Sequence, residues 1–177
     1  MGPNADLSYA NLNGANLVGV DLSGAELDNV HAINLQACPA VLPTHWNCIG
    51  NILMGPNANL TGVELSDTIL LNVNLTGANL SNTTLLNVNL TGANLSGANL
   101  FNAYLWIVDL QDADLTGANL QLGDDCGNVY FNNADLSYAD FTGLNMGATQ
   151  WDFTGTTWLN TIWTDGIAYS SNQGPSS

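Results

Sequence analysis

The sequence predicts an all-β solenoid, a chain wound in short stacked coils around one apolar column. Three observations carry that expectation. Leucine stands at every fifth position from Leu60 to Leu120 without a break. Glycine, asparagine, serine and threonine hold fixed places between those leucines, where glycine and asparagine would weaken any long helix. Finally, 46% of the 177 residues are apolar and only 8% are charged, which suits one packed repeat domain better than an acidic disordered tail.

The first run of repeats lies in residues 1–35, with Leu7, Leu12, Leu17, Leu22 and Leu27 at the fifth places. Residues 36–53 break the rhythm with two prolines, two cysteines and a tryptophan, and are expected to form an inserted loop. Repeats resume at Met54 with MGPNANL, nearly the string MGPNADL at Met1; an ordinary start and an exposed internal end are both open there. The main run, residues 54–153, changes register once. One extra residue between Gln121 and Asp125 moves the apolar places to Cys126, Phe131, Leu136, Phe141, Met146 and Trp151. Strict phasing would turn Asp124 inward, where a bare carboxylate is costly, so a bulge at Gly123 is expected to turn it out. Residues 154–177 supply Trp158 and Trp163, which with Trp151 and Phe153 are expected to cap the leucine column, and then a polar tail. Nothing comparable covers the first coil, whose sheet edge is expected to be bare.

Two residues before each leucine stands something small or β-branched, as at Ala78, Val88, Ala98, Val108 and Ala118, and Asn or Asp commonly lies between. A period of five fits neither a 3.6-residue helix nor a two-residue strand alternation. It fits a short extended piece followed by a corner, with the leucine and the small residue inward and three places outward. These A-[DN]-L-x-x units, as in ANLTG and ADLTG, resemble the pentapeptide-repeat family. The resemblance implies a right-handed quadrilateral β-helix with four pentapeptides per coil, here about six coils in a rod roughly 30 Å tall. A coil of about twenty residues stacks Asn59, Asn79, Asn99, Asn119 and Asp140 in one column. A second column holds Asn74, Asn94, Asp114 and Asp135, with Thr76, Ser96, Thr116 and Ser137 beside it. Asp114 with Asp135, and Asp6 with Glu26, then stack acid on acid, which is repulsive.

Charge excludes several functions outright. The chain has 15 acidic residues and no lysine or arginine, a net charge of −15. No Walker lysine, Schiff-base lysine or arginine finger exists here. Nucleic acids and anionic membrane surfaces lose their main source of affinity. No apolar run approaches the roughly 18–20 residues of a membrane span. The two histidines lie outside the regular repeats, and no Ser or Cys sits in a recognisable nucleophile setting, so neither an enzyme nor a cofactor is expected.

Cys38 and Cys48 are expected to form a disulfide, and with it an extracellular, periplasmic or lumenal setting. A zinc site that adds His31 and His45, at a spacing matching no common finger, and two free thiols stay open. Cys126 stands at a leucine place and reads as a small buried hydrophobe. Asp124 and Asp125, near Asp112 and Asp114, offer oxygens to calcium but follow no EF-hand pattern.

Ile69, Leu71, Leu86, Phe101, Tyr104, Trp106 and Ile107 fall at outward places. Leu86, Tyr104, Trp106 and Ile107 share one side and form a candidate interface centred on Trp106. The expected function is a non-enzymatic structural or interaction protein whose partner is itself or another protein. It acts as a rigid spacer or as a self-associating subunit, a homo-oligomer or an end-to-end filament. The resemblance implies a second reading, an acidic DNA mimic that binds a type II topoisomerase; residues 68–108, which carry no charge, resist it. A ligand- or ice-binding surface on the Ser/Thr/Asn columns is a third, without a long regular threonine row.

Overall fold

The computed structural model describes residues 4–124, 126–146, 150–164 and 168–169, the last two by backbone alone. Met1, Asp125 and the polar tail of the sequence reading lie outside the described residues.

Each pentapeptide folds through the same short-range bonds. The Asn or Asp before the leucine accepts, on Oδ1, the backbone N–H two residues on: Asn74 from Thr76 at 3.0 Å, Asp114 from Thr116 at 2.9 Å. The leucine carbonyl accepts the N–H three places on, as Leu95 does from Ala98 at 2.9 Å. Of the two residues between them, the second turns the corner with positive φ, 64° at Gly97, 55° at Asn102 and 58° at Asp112. Glycine adopts this left-handed region freely, and Asn or Asp more readily than other side chains. That requirement explains the fifth place of the repeat.

Neighbouring coils bond in parallel. Around Leu100, the Asn99 N–H donates to Ala78 of the preceding coil at 2.9 Å. The N–H groups of Leu100 and Asn102 donate to Asn119 and Gln121 of the following coil at 2.9 and 2.8 Å. The pairs fall on four ladders, seen at Asn59↔Asn79, Glu64↔Thr84, Ile69↔Asn89 and Asn74↔Asn94, each with a step of 20 residues. Past Gln121 the step becomes 21, as in Asn119↔Asp140, and later 22, as in Asp140↔Ile162. Asp124 is exposed at the first of these shifts, while Leu122 beside it is buried.

The strands are β1 (Asn47–Ile49), β2 (Ile52–Met54), β3 (Thr84–Asn89), β4 (Tyr104–Asp109), β5 (Gly127–Tyr130), β6 (Trp151–Asp152), β7 (Thr161–Ile162) and β8 (Ala168–Tyr169). Among the described residues every helix or strand is a strand, and no helix is long and apolar enough to cross a membrane. β3, β4, β5 and β6 make one parallel sheet; β1–β2 and β7–β8 are antiparallel pairs. The architecture is a β-solenoid.

Leu80, Leu100 and Leu120, with Ala78, Ala98 and Ala118, are buried in its column. Each buried leucine contributes roughly 1.5–3 kcal/mol of apolar burial. The column ends in aromatics. Phe153 stacks on Phe131 with ring centres 5.1 Å apart, and Trp163 meets Phe141 at 4.9 Å. Trp158 and Trp163 are buried at the five-residue spacing, with Thr156 and Thr161 buried two places before them. Sequence phasing puts Trp151 at a leucine place; the structure sets it opposite Val129 instead. The 22-residue step moves Trp151 to the small-residue place, and Phe153 takes the column.

Residues 4–24 stack on residues 26–41 through Asp6↔Glu26, Asn11↔His31, Asn16↔Ala37 and Asp21↔Val41. Of residues 36–53, the first few therefore run along the coil, and the β1–β2 hairpin follows. Trp46 packs against both apolar clusters, the one around Leu12–Leu35 and the one that begins at the hairpin. Its indole fills the space a side chain on Gly55 would need. Backbone bonds from Asn59 to Val30 and from Leu53 to Ala32 join the two stretches.

Candidate interaction surface

Leu85, Val88, Leu105 and Val108 point into the core, three places apart because the left-handed corners at Asn87 and Ile107 lie between them. Leu86, Tyr104 and Trp106 point outward, Leu86 exposed and the two aromatics half-buried. The register sets Leu86 directly opposite Trp106, and Thr84 opposite Tyr104. The Tyr104 and Trp106 rings are parallel within 3°, their centres 6.5 Å apart. Three of the four interface residues expected from sequence thus meet on one sheet face. Phe101 lies elsewhere, just past Asn99 on the Asn79↔Asn99↔Asn119 ladder.

Ile107, the fourth, turns the corner beside Trp106 and is 44% exposed, against 38% for Leu86. Its φ is 56°. Asp67, Asn87 and Asn128 hold the equivalent corner in the other coils, with φ between 54° and 56°. At such corners side-chain amides link coil to coil: Asn87 donates to Asp67 at 2.8 Å, Asn102 to Asn82 at 2.8 Å, Asn133 to Asp112 at 3.1 Å. A β-branched side chain bears left-handed backbone poorly and has no amide to offer. Ile107 therefore interrupts the ladder.

Past this corner lies a groove of about 420 Å³ lined by Asp67, Ile69, Asn87, Asn89, Ile107, Asp109 and Tyr130, among others. Ile69, Asn89, Asp109 and Tyr130 reach it along one ladder. Asp67 accepts from Asn87, and Asp109 accepts the Gln111 N–H at 2.9 Å, each on one oxygen. The groove is rich in acceptors and the chain has no Lys or Arg to offset them. Sequence reasoning missed Asp67, Asn87, Asp109 and Tyr130. The 20-residue step could have found the first two, but the Asp109–Tyr130 pairing depends on the extra residue past Gln121.

Several carboxylates outside the groove are held below the usual range by the local turn. At Asp6 and Asp21 the main cause is the backbone N–H of Ser8 and Ser23 respectively, followed by the serine hydroxyl. At Asp152 it is the Thr154 hydroxyl, then Asn132 and the Thr154 N–H. At Asp140 partial burial pushes upward, and is outweighed by the Thr142 hydroxyl and N–H together with the Gln121 amide. The stacked acidic pairs Asp6↔Glu26 and Asp114↔Asp135 are both present.

Cys38 and Cys48 are joined in a disulfide with Cα atoms 6.0 Å apart, which ties β1 to the coil behind it. His31 places Nδ1 2.8 Å from the Asn59 carbonyl at the joint between the two stretches, and His45 is exposed. Among the described residues no three His, Cys, Asp or Glu side chains gather as metal ligands would. Cys126 is buried and its Sγ accepts the Leu105 N–H at 3.2 Å.

A five-residue repeat wound in parallel, with an apolar face on one side, defines a solenoid repeat protein. More narrowly, the chain belongs to the pentapeptide repeat family, whose model matches in eight copies over residues 4–34, 58–97, 68–106 and 93–122. Among solved structures it is similar to HetL, a pentapeptide repeat protein involved in heterocyst differentiation regulation in the cyanobacterium Nostoc sp. strain PCC 7120. That similarity has 23% identity and a TM-score of 0.47, over 94% of this chain and 92% of the other. A pentapeptide repeat protein of the Arabidopsis thaliana thylakoid lumen shares 27% identity with a TM-score of 0.27, over 63% and 68% of the two chains. QnrB1, a plasmid-mediated fluoroquinolone resistance protein, shares 17% identity with a TM-score of 0.39, over 96% and 85%. Comparison with curated proteins gives no match.

Proposed function

We propose that the chain is a non-enzymatic interaction protein, a rigid rod that presents its β3–β4 face sideways to a partner. The finer geometry is part of this proposal: a right-handed, four-sided rod of about six coils. One observation carries the reading. Leu86, Trp106 and Tyr104 meet on one outer face, Leu86 exposed and the two rings half-buried, with Ile107 exposed at the adjoining corner, and outward apolar side chains gathered in this way mark an interface. The Cys38–Cys48 disulfide supports an extracellular, periplasmic or lumenal setting. So does the absence of lysine and arginine, which removes every trypsin-type cleavage site.

Of the two contact modes expected from sequence, the lateral one is preferred to the end-to-end filament. β7 lies in the last parallel coil, where Ile162 pairs with Asp140, and β8 pairs antiparallel onto it, which does not template a further parallel coil. A DNA-mimicking surface needs continuous acidic rows; here the ladder from Asn59 carries amides at Asn79, Asn99 and Asn119 before it reaches Asp140.

A photo-cross-linking side chain placed at Trp106, and in a second variant at the exposed Thr61, tests the reading in the source organism. The expected result is a discrete adduct with another protein at Trp106 alone. Equal adducts at both places, or none, would overturn it. Light scattering at rising concentration is expected to show a constant mass, and growth in mass would restore the filament.

A further inference from the structure

We propose that the groove beside Ile107 seats an arginine side chain of the partner, while Trp106 and Leu86 take the apolar residues that flank it. This deepens the lateral-interface reading and rests on it. The groove contains two carboxylates, Asp67 and Asp109, each with one oxygen committed to a bond within the chain. Asn87 lines it as well, and Ile107 in the next coil offers the Asn87 amide oxygen no donor. A surface that presents acceptors without cations is complementary to a group that only donates. Guanidinium is that group, planar, with five N–H donors and no acceptor.

Charge decides against the other occupants. A second copy of this chain also carries −15 with no Lys or Arg, so it would set carboxylate against carboxylate. Nucleic acids and anionic lipids fail for the same reason. The apolar rim decides against a bare cation. Ile69 is 69% exposed at the groove, Ile107 stands at its corner, and Tyr130 lines it beyond Asp109. A guanidinium in such a groove gains both the carboxylates and the Tyr130 ring.

The test titrates the isotope-labelled full chain with the capped tripeptide Leu-Arg-Leu, followed by amide NMR shifts. Shifts are expected to concentrate at Asp67, Asn87, Ile107, Asp109 and Tyr130. Capped Leu-Lys-Leu is expected to bind more weakly and Leu-Glu-Leu not at all. Asp67→Asn and Asp109→Asn keep an Oδ1 acceptor for the local bonds, so the fold is retained, and each is expected to weaken binding about fivefold. Asp135→Asn removes the same charge elsewhere and is expected to leave binding unchanged.

An equal loss with Asp135→Asn, or shifts spread over all the acids, would mean a diffuse polyanion and overturn the proposal. So would displacement of the peptide by calcium at equal normality, the mark of a simple counter-ion site. The interface reading fails separately: localised peptide binding without a Trp106 cross-link would keep the arginine groove and remove the lateral partner.

Discussion

Ile107 occupies a corner that most repeats give to Gly, Asn or Asp, with Tyr9 and Tyr138 the comparable exceptions within the repeats. Left-handed backbone at a β-branched residue costs of order 1–2 kcal/mol. Ile107→Asn would relieve that strain and restore a donor toward Asn87, so urea denaturation should show a gain of about 1 kcal/mol. The same variant should lose the Leu-Arg-Leu peptide, because it removes the rim. Lower stability would mean the isoleucine is held by packing that outweighs its backbone. A second residue-scale case is the Asp114↔Asp135 stack. Asn offers Thr116 the same Oδ1 acceptor as Asp, so Asp114→Asn should stabilise by about 0.2–1 kcal/mol through lost repulsion. Asp135→Asn should do the same, yet the double variant should gain little more, since either change removes the pair. Strict additivity in that cycle would sink the explanation. For Asp6, Asp21, Asp140 and Asp152 the folded pKa is lowered, so their contribution is complete above the unfolded value near 3.9 and is lost as pH falls through the folded pKa. Carboxyl NMR titration should find these four midpoints below about 3.9.

The β1–β2 hairpin is the element that makes one solenoid of two repeat runs. Its disulfide closes a short loop, and Trp46 packs on the apolar clusters of both runs. Cys48→Ser, or reduction, should cost about 2–3 kcal/mol by the loop-entropy account. Denaturation with and without reductant measures it, and an unchanged midpoint would show that packing alone holds the joint. Much of this architecture was legible in the sequence, because the unbroken Leu60–Leu120 run fixes the inward face, and the resemblance to the pentapeptide repeats implies the twenty-residue stacking step. The fifth place was legible too, since Gly, Asn and Asp are the residues that left-handed corners accept. What escaped was whatever depends on insertions. The continuation of the column through Phe153, Trp158 and Trp163 keeps the five-residue spacing, but aromatic bulk suggested a lid instead of further repeats. The groove needs the 21-residue step that brings Tyr130 beside Asp109, and a single extra residue past Gln121 carries no label of where its bulge will fall.

On the scale of the whole molecule, the strong charges have one sign. Fifteen carboxylates face two histidines and no Lys or Arg, so almost no side-chain attraction exists for salt to screen. In ordinary proteins salt weakens attractions and repulsions together and the sign of its effect is hard to foresee. Here screening can essentially only relieve repulsion. The Debye length falls from about 30 Å at 0.01 M, several strand spacings, to about 3 Å at 1 M, less than one. Sodium chloride should therefore raise Tm steadily over that range, by about 2–4 °C for each kcal/mol of repulsion removed. The effect should also be local, because residues 68–108 carry no charge. A solenoid is coupled mainly between neighbouring coils, so relief at the ends spreads inward only through coil-to-coil contacts. Hydrogen exchange should slow with salt in residues 109–140 and in the coils before Asp67, and change least around Leu85 and Leu105 in the uncharged middle. Uniform slowing would mean that salt acts on the apolar core in general. A falling Tm would mean that an attraction at His31 or His45 outweighs the repulsion of all the carboxylates.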